Sequence, residues 1–115
     1  MTRISVGVDV PKNRSTVCIM DQDGKFIMRP FLVWHSTEEL DFLADTLKRL
    51  NGEVRVIMES TSVYQYPIAL QLKERGLFIS IVNAYEMKQF ANIDFRGGKT
   101  DKKDSRTIAS YGISY

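Results

Sequence analysis

Between Arg3 and Val10 the chain alternates: Ile4, Val6, Val8 and Val10 are apolar, whereas Arg3, Ser5, Gly7 and Asp9 are not. A period of two is the mark of a β-strand, and this one ends on an aspartate just before the turn formers Pro11-Lys12-Asn13. Ser15 to Asp21 reads as a second strand, Asp23-Gly24 is a hairpin signal, and Lys25 to Trp34 reads as a third strand. Three antiparallel strands therefore open the fold. Pro30 cannot donate to a central ladder, so the third strand is predicted to be an edge or to carry a bulge there. Gly7 shares a strand face with Asp9. It either leaves open space beside that carboxylate or serves backbone packing.

The pattern then changes period. Ser36-Thr37-Glu38-Glu39 has capping-box spacing, and Leu40, Leu43, Leu47 and Leu50 fall on one helical face before Asn51-Gly52 closes the helix. Val54 to Met58 is a short apolar run of strand type, predicted to be buried on both faces and to deliver Glu59 at its carboxyl end. Pro67 suits a first helical turn and Gly76 a cap past the last, which predicts a helix over Tyr66 to Arg75. Leu77 to Val82 supplies a fifth strand. Tyr85 to Asn92 reads as helix, Gly97-Gly98 breaks it, and a final helix is predicted to start near Thr100 or Asp101. This order gives an α/β fold: a mixed five-stranded sheet, its first three strands antiparallel, flanked by helices in the ribonuclease-H-like manner. Such a fold hosts polynucleotidyl transferases, sugar kinases and actin-like ATPases, so function must be read from individual residues.

A chain of 115 residues suits one domain with one core. Its 43% apolar and 26% charged residues are those of a folded globular protein. No apolar run approaches the roughly 18 residues of a membrane span, and Met1-Thr2-Arg3 leads straight into strand pattern without a signal peptide, so a cytoplasmic location is expected. Cys18 has no partner for a disulfide or a zinc site and reads as a core thiol. The formal charge of +2 says little about partners, but its distribution says more. From Arg96 to Arg106, five basic residues (Arg96, Lys99, Lys102, Lys103, Arg106) flank only two acids, Asp101 and Asp104. A basic run that brackets carboxylates can hold a phosphate backbone beside a metal ion.

Four acids, Asp9, Glu59, Asp101 and Asp104, sit where predicted elements begin or end. Metal-assisted phosphoryl transfer requires several carboxylates converging from different elements, because hard cations are bridged and held by oxygen ligands around the scissile phosphate. Asp9 would be the bridging ligand, Glu59 would hold one metal, and Asp101 with Asp104 would complete the cage, since residues three apart share a helix face. A structural reading stands beside this one: Asp101 as a helix N-cap with Asp104 in the first turn, favourable against the helix dipole. Glu59 alone reads as a surface charge at a strand end. Asp9 is costly to bury without a task.

Three phrases carry a closer likeness. Gly7, Asp9 and Lys12 match a Gly-x-Asp-x-x-Lys phrase; Met58-Glu59-Ser60-Thr61-Ser62-Val63-Tyr64 matches a Met-Glu-Ala-Thr-Gly-x-Tyr phrase; and Lys99 to Asp104 match Lys-Thr-Asp-x-x-Asp. Together they resemble the amino-terminal RuvC-like domain of the DEDD-type insertion-sequence transposases, a family that also includes the pilin-gene-inverting recombinases. Ser60 and Ser62 depart from the usual alanine and glycine but keep small side chains. The resemblance implies a single RuvC-like catalytic domain over residues 1–115, acting in DNA strand cleavage and transfer. Its catalytic and metal-binding residues would be Asp9, Glu59, Asp101 and Asp104, holding two Mg2+ or Mn2+ ions. Lys12, Arg96, Lys99, Lys102, Lys103 and Arg106 would contact nucleic acid. It further implies a carboxy-terminal domain, absent from this chain, that bears a serine nucleophile, an element-encoded guide RNA, and a dimer or tetramer of the full-length protein.

Two other classes compete. Half of an actin-like or sugar-kinase ATPase would also place an aspartate on its first strand before a hairpin, but Pro11-Lys12-Asn13 lacks the glycines that grip phosphates. A non-catalytic nucleic-acid-binding module would use the basic segment with Tyr64, Tyr66 and Tyr85. His35 reads as a rim residue rather than a general base, and Trp34, Phe42, Phe78 and Phe90 read as core.

Overall fold

The computed structural model describes residues 2–60, 64–94 and 104–115. In chain order the elements are β1 (Arg3–Asp9), β2 (Arg14–Asp21), β3 (Phe26–Trp34), α1 (Thr37–Lys48), β4 (Glu53–Ser60), α2 (Gln65–Glu74), β5 (Ile79–Asn83), α3 (Ala84–Asp94) and α4 (Ser105–Ser114). The sheet runs β3-β2-β1-β4-β5. β1, β2 and β3 pair antiparallel, while β4 joins β1 and β5 joins β4 in parallel. The mixed five-stranded sheet expected from the sequence is the one observed.

Local chemistry explains most boundaries. In the first hairpin, the Asp21 carboxylate accepts the backbone N–H groups of Asp23 and Lys25 at 2.9 and 3.0 Å, and Gly24 takes the positive φ of 81° that such a turn requires. β3 is the edge strand, and Pro30 lies inside the register shift between the Val17–Phe31 and Ile19–Met28 pairs, so its missing N–H breaks no regular ladder. At α1, Ser36 accepts the N–H of Glu39 at 3.3 Å. The Glu39 carboxylate reaches past the capping residue to the N–H of Trp34 at 3.0 Å, which ties the helix to the end of β3. Gly76, with φ 89°, follows α2 as the sequence anticipates.

The core has two layers. On one face, Ile4, Val6, Val8, Val17, Ile19, Val56 and Met58 pack against Leu40, Leu43 and Leu47 of α1 and Ile68 and Leu72 of α2. Each fully buried leucine or isoleucine there contributes roughly 1.5–3 kcal/mol. On the other face, Ile57 and Val82 pack with Met87 and Phe90 of α3 and Ile108 of α4, while Cys18 and Met20 pack with Ala109. Cys18 is thus the core thiol anticipated, and burial pushes it up to about 11.

Gly7 resolves in favour of packing. A Cβ at Gly7 would collide with the carbonyl oxygen of Ser105 and the backbone nitrogen of Ala109 and lie 2.9 Å from the Ala109 Cα. On the helix side, a Cβ at Gly112 would collide with the Ser5 hydroxyl and lie 2.8 Å from Ile57 Cγ1. Ser5 Oγ donates to the carbonyl of Ala109 at 2.7 Å. The non-apolar positions of β1 therefore form the seat of α4, and two glycines let helix and strand meet at backbone distance.

Three aromatic expectations are corrected. Phe90 is core, but Trp34, Phe42 and Phe78 are 44%, 72% and 63% exposed. Phe42 follows buried Leu40 by two positions, which on a helix turns it away from the core. Trp34 follows buried Val33 on the edge strand and so faces the other way, where the Arg14 guanidinium lies 5.7 Å from its ring centroid. Phe78 precedes β5 and is held by its backbone, whose carbonyl accepts the N–H of Val56. Among the described residues no helix is long and apolar enough to cross a membrane.

Candidate functional site

β1 and β4 are parallel neighbours, with Gly7 opposite Ile57 and Val8 opposite Met58. One step further along the same register, Asp9 and Glu59 stand level at the carboxyl ends of their strands. Both lie on the pleat that faces α4. Glu59 is only 8% exposed, so it is a buried carboxylate rather than a surface charge. Burial raises the Asp9 carboxyl above its ordinary value, and the negative charges of Glu59 and then Asp104 raise it further.

Asp104 arrives from the third element. The final helix begins at Ser105, later than the predicted start near Thr100 or Asp101, and Asp104 is its N-cap, with extended backbone at φ −85° and ψ −178°. Its Oδ1 accepts the N–H groups of Arg106 and Thr107, each at 3.1 Å. Its Oδ2 accepts Nη2 and Nε of Arg106 at 2.9 and 3.3 Å. Burial alone would raise this carboxyl, but these hydrogen bonds and the Arg106 charge outweigh it and hold Asp104 below the usual aspartate value. The two acids at the ends of β1 and α4 are thus driven apart in acidity by their surroundings. The contact of Ser105 with Gly7 is what brings the start of α4 to the end of β1.

The sequence-predicted site is therefore placed in part. Asp9, Glu59 and Asp104 come from β1, β4 and the start of α4 to one end of the sheet. Asp101 lies outside the described residues, as do Arg96, Lys99, Lys102 and Lys103, the Gly97-Gly98 break and Ser62. The idea of Asp101 and Asp104 on one helix face does not carry over to Asp104, which precedes the helix. Among the described residues, no three His, Cys, Asp or Glu side chains are grouped closely enough to hold a metal ion as they stand. Lys12 lies exposed in the turn after β1 and Arg106 lies exposed on the first turn of α4.

Two contacts were not foreseen. One is the two-pronged grip of Arg106 on Asp104, which the sequence hints at only by their separation of two residues. The other involves His35, whose Nε2 is 2.7 Å from the buried Ser15 hydroxyl and whose backbone N–H donates to the carbonyl of Asn13. That pair fastens the turn carrying Lys12 to the end of β3. Burial lowers the His35 value, which keeps the ring neutral around neutral pH.

Comparison with solved structures places the chain beside T. thermophilus RuvC in complex with a Holliday junction substrate, at a TM-score of 0.53 and 14% identity, covering 93% of this chain and 90% of that one. That likeness shows a RuvC-like, ribonuclease-H-like fold. No curated protein matches the sequence. The family of DEDD transposases of the IS110 type matches residues 6–115, and the chain belongs to that transposase family.

Proposed function

We propose that this chain is the metal-binding catalytic domain of an insertion-sequence transposase, acting in DNA strand cleavage and transfer. The observation that carries the reading is the delivery of Asp9, Glu59 and Asp104 from three separate elements to one end of the sheet, with Asp9 raised by burial and by the other two. Packed carboxylates are unfavourable unless a cation neutralises them. The donor set is all hard oxygen, which suits Mg2+ or Mn2+ and not a soft metal. Asp9, Glu59 and Asp104 would hold the ions, with Asp101 completing the set. A metal held there would stabilise the charge that develops on the transferring phosphate and would lower the pKa of an attacking oxygen. The chain itself contributes a fixed strand pair that sets Asp9 beside Glu59, a helix start that sets Asp104, and basic residues for the DNA backbone: Lys12 and Arg106, with Arg96, Lys99, Lys102 and Lys103.

In this reading residues 1–115 form one catalytic domain, and the family's nucleophilic serine lies in a carboxy-terminal domain outside it. The isolated chain then binds metal and DNA without completing strand exchange. Guidance by an element-encoded RNA and assembly as a dimer or tetramer belong to the same proposal, by resemblance to the family. The solved relative was captured on a Holliday junction, which makes branched DNA a sensible probe.

Calorimetric titration with Mn2+ tests the reading. The wild-type chain is expected to bind Mn2+, and Asp9→Asn, Glu59→Gln and Asp104→Asn are each expected to weaken binding at least tenfold, or about 1.4 kcal/mol. Unchanged Mn2+ affinity in all three variants would overturn the assignment. Nucleotide binding in place of metal-dependent DNA binding would favour the ATPase class instead.

A further inference from the structure

The two oxygens of Asp104 are held in different ways. Oδ1 is fixed by the backbone N–H groups of Arg106 and Thr107 and cannot leave without uncapping α4. Oδ2 is held by the Arg106 guanidinium, a side chain 59% exposed, against 32% for that of Asp104. One oxygen is therefore committed to the fold, and the other to a partner that can swing into solvent.

We infer that Arg106 is an exchangeable counter-ion: it occupies Oδ2 of Asp104 until a divalent cation takes that oxygen, and the displaced guanidinium then contacts a DNA phosphate. The inference rests on the metal reading above. Charge supports it, because the Arg106 guanidinium is the cation paired with Asp104 in the metal-free fold. A divalent ion serving Asp9, Glu59 and Asp104 would repel a guanidinium on the same oxygen. Energetics supports it too, since exposed ion pairs are weak and readily opened. Chemistry supplies the destination: the planar two-pronged donor that now grips a carboxylate fits a phosphate equally well.

Metal and DNA binding are then coupled, and the coupling is reciprocal. A latch of the usual strength of an exposed pair holds most of the population closed and weakens apparent metal binding about two- to six-fold. Arg106→Gln should therefore bind Mn2+ about two- to six-fold more tightly than wild type by calorimetry. The substitution changes an exposed side chain, and circular dichroism checks that the variant keeps the fold. In parallel, the salt dependence of binding to a short fluorescent DNA duplex should steepen in wild type on adding Mn2+ by about one phosphate contact relative to Arg106→Gln measured under the same conditions. Asp104→Asn retains a capping side chain but frees Arg106, and should show the steeper slope without metal. Equal or weaker Mn2+ affinity in Arg106→Gln, with binding intact in both proteins, overturns this inference alone. Failure of both proteins to bind Mn2+ overturns the metal reading and this inference with it.

Discussion

Replacing Asp9 by asparagine should make the metal-free protein more stable, the opposite of what most substitutions at an interior strand end do. The register of β1 and β4 puts Asp9 level with Glu59 on neighbouring parallel strands, whose backbones lie about 4.8 Å apart. Side chains level on the same pleat of neighbouring strands lie on the order of 6 Å apart. At an effective dielectric between about 20 and 80, the repulsion of two carboxylates at that distance is roughly 0.7–2.8 kcal/mol. Asparagine removes it and offers an amide donor to Glu59. The expected gain at neutral pH in EDTA is about 1–2 kcal/mol, or a rise in Tm of roughly 4–8 °C for a chain of this size. The pH dependence has a definite sign. The Asp9 value is raised above 3.8 in the folded state, so the folded protein binds that proton more tightly than the unfolded chain. Wild-type stability consequently falls as pH rises from 3.8 through the raised value, and the advantage of Asp9→Asn opens across that window and closes below it. Thermal melts by circular dichroism over this range decide the matter. A variant no more stable than wild type at neutral pH without metal would mean that Asp9 and Glu59 do not repel each other in the fold. Adding Mn2+ should reverse the order, since mass action stabilises only the protein that binds it, by about 2.7 kcal/mol at a hundredfold excess over Kd.

Asp104→Ala should cost about 1 kcal/mol through loss of the α4 cap, whereas Asp104→Asn should retain most of it; chemical denaturation separates the two. Because the Asp104 value is lowered in the fold, its stabilising contribution is complete above 3.8 and is lost as pH falls through the folded value. Gly7→Ala should be among the most damaging small substitutions, because its Cβ would meet backbone atoms of α4 rather than yielding side chains; a loss of about 1–3 kcal/mol or more is expected, visible as a lower and broader melt. Cys18, buried and pushed up to about 11, should resist alkylation by iodoacetamide in the native protein and react once the chain is unfolded.

The sheet was readable in the sequence because its signals are local. Alternation in β1, the Asp23-Gly24 hairpin, the Ser36 cap and the Pro67 and Gly76 punctuation each act within a few residues, and together they order the elements. The arrival of Glu59 at the end of β4 was readable for the same reason. What could not be read depends on partners distant in sequence. Whether Gly7 leaves space or admits a helix is decided by α4, nearly a hundred residues later. Asp101 and Asp104 are both good capping residues by type, and that Asp104 caps the helix seated on β1 depends on a contact between residues far apart in sequence. Trp34, Phe42 and Phe78 look like core by residue type, yet their faces are set by the neighbours Val33 and Leu40 and by the approach to β5. The hold of Arg106 on Asp104 is a side-chain contact that spacing permits but does not announce.

Asp9, Glu59 and Asp104 are proposed to share divalent cations at one end of the sheet. Anomalous diffraction from crystals of the chain soaked in Mn2+ decides this. Manganese peaks ligated by Asp9, Glu59 and Asp104, with the Arg106 guanidinium swung off Asp104, are expected. Manganese bound elsewhere, or none at the end of β1 while Arg106 keeps its grip, would rule the shared site out.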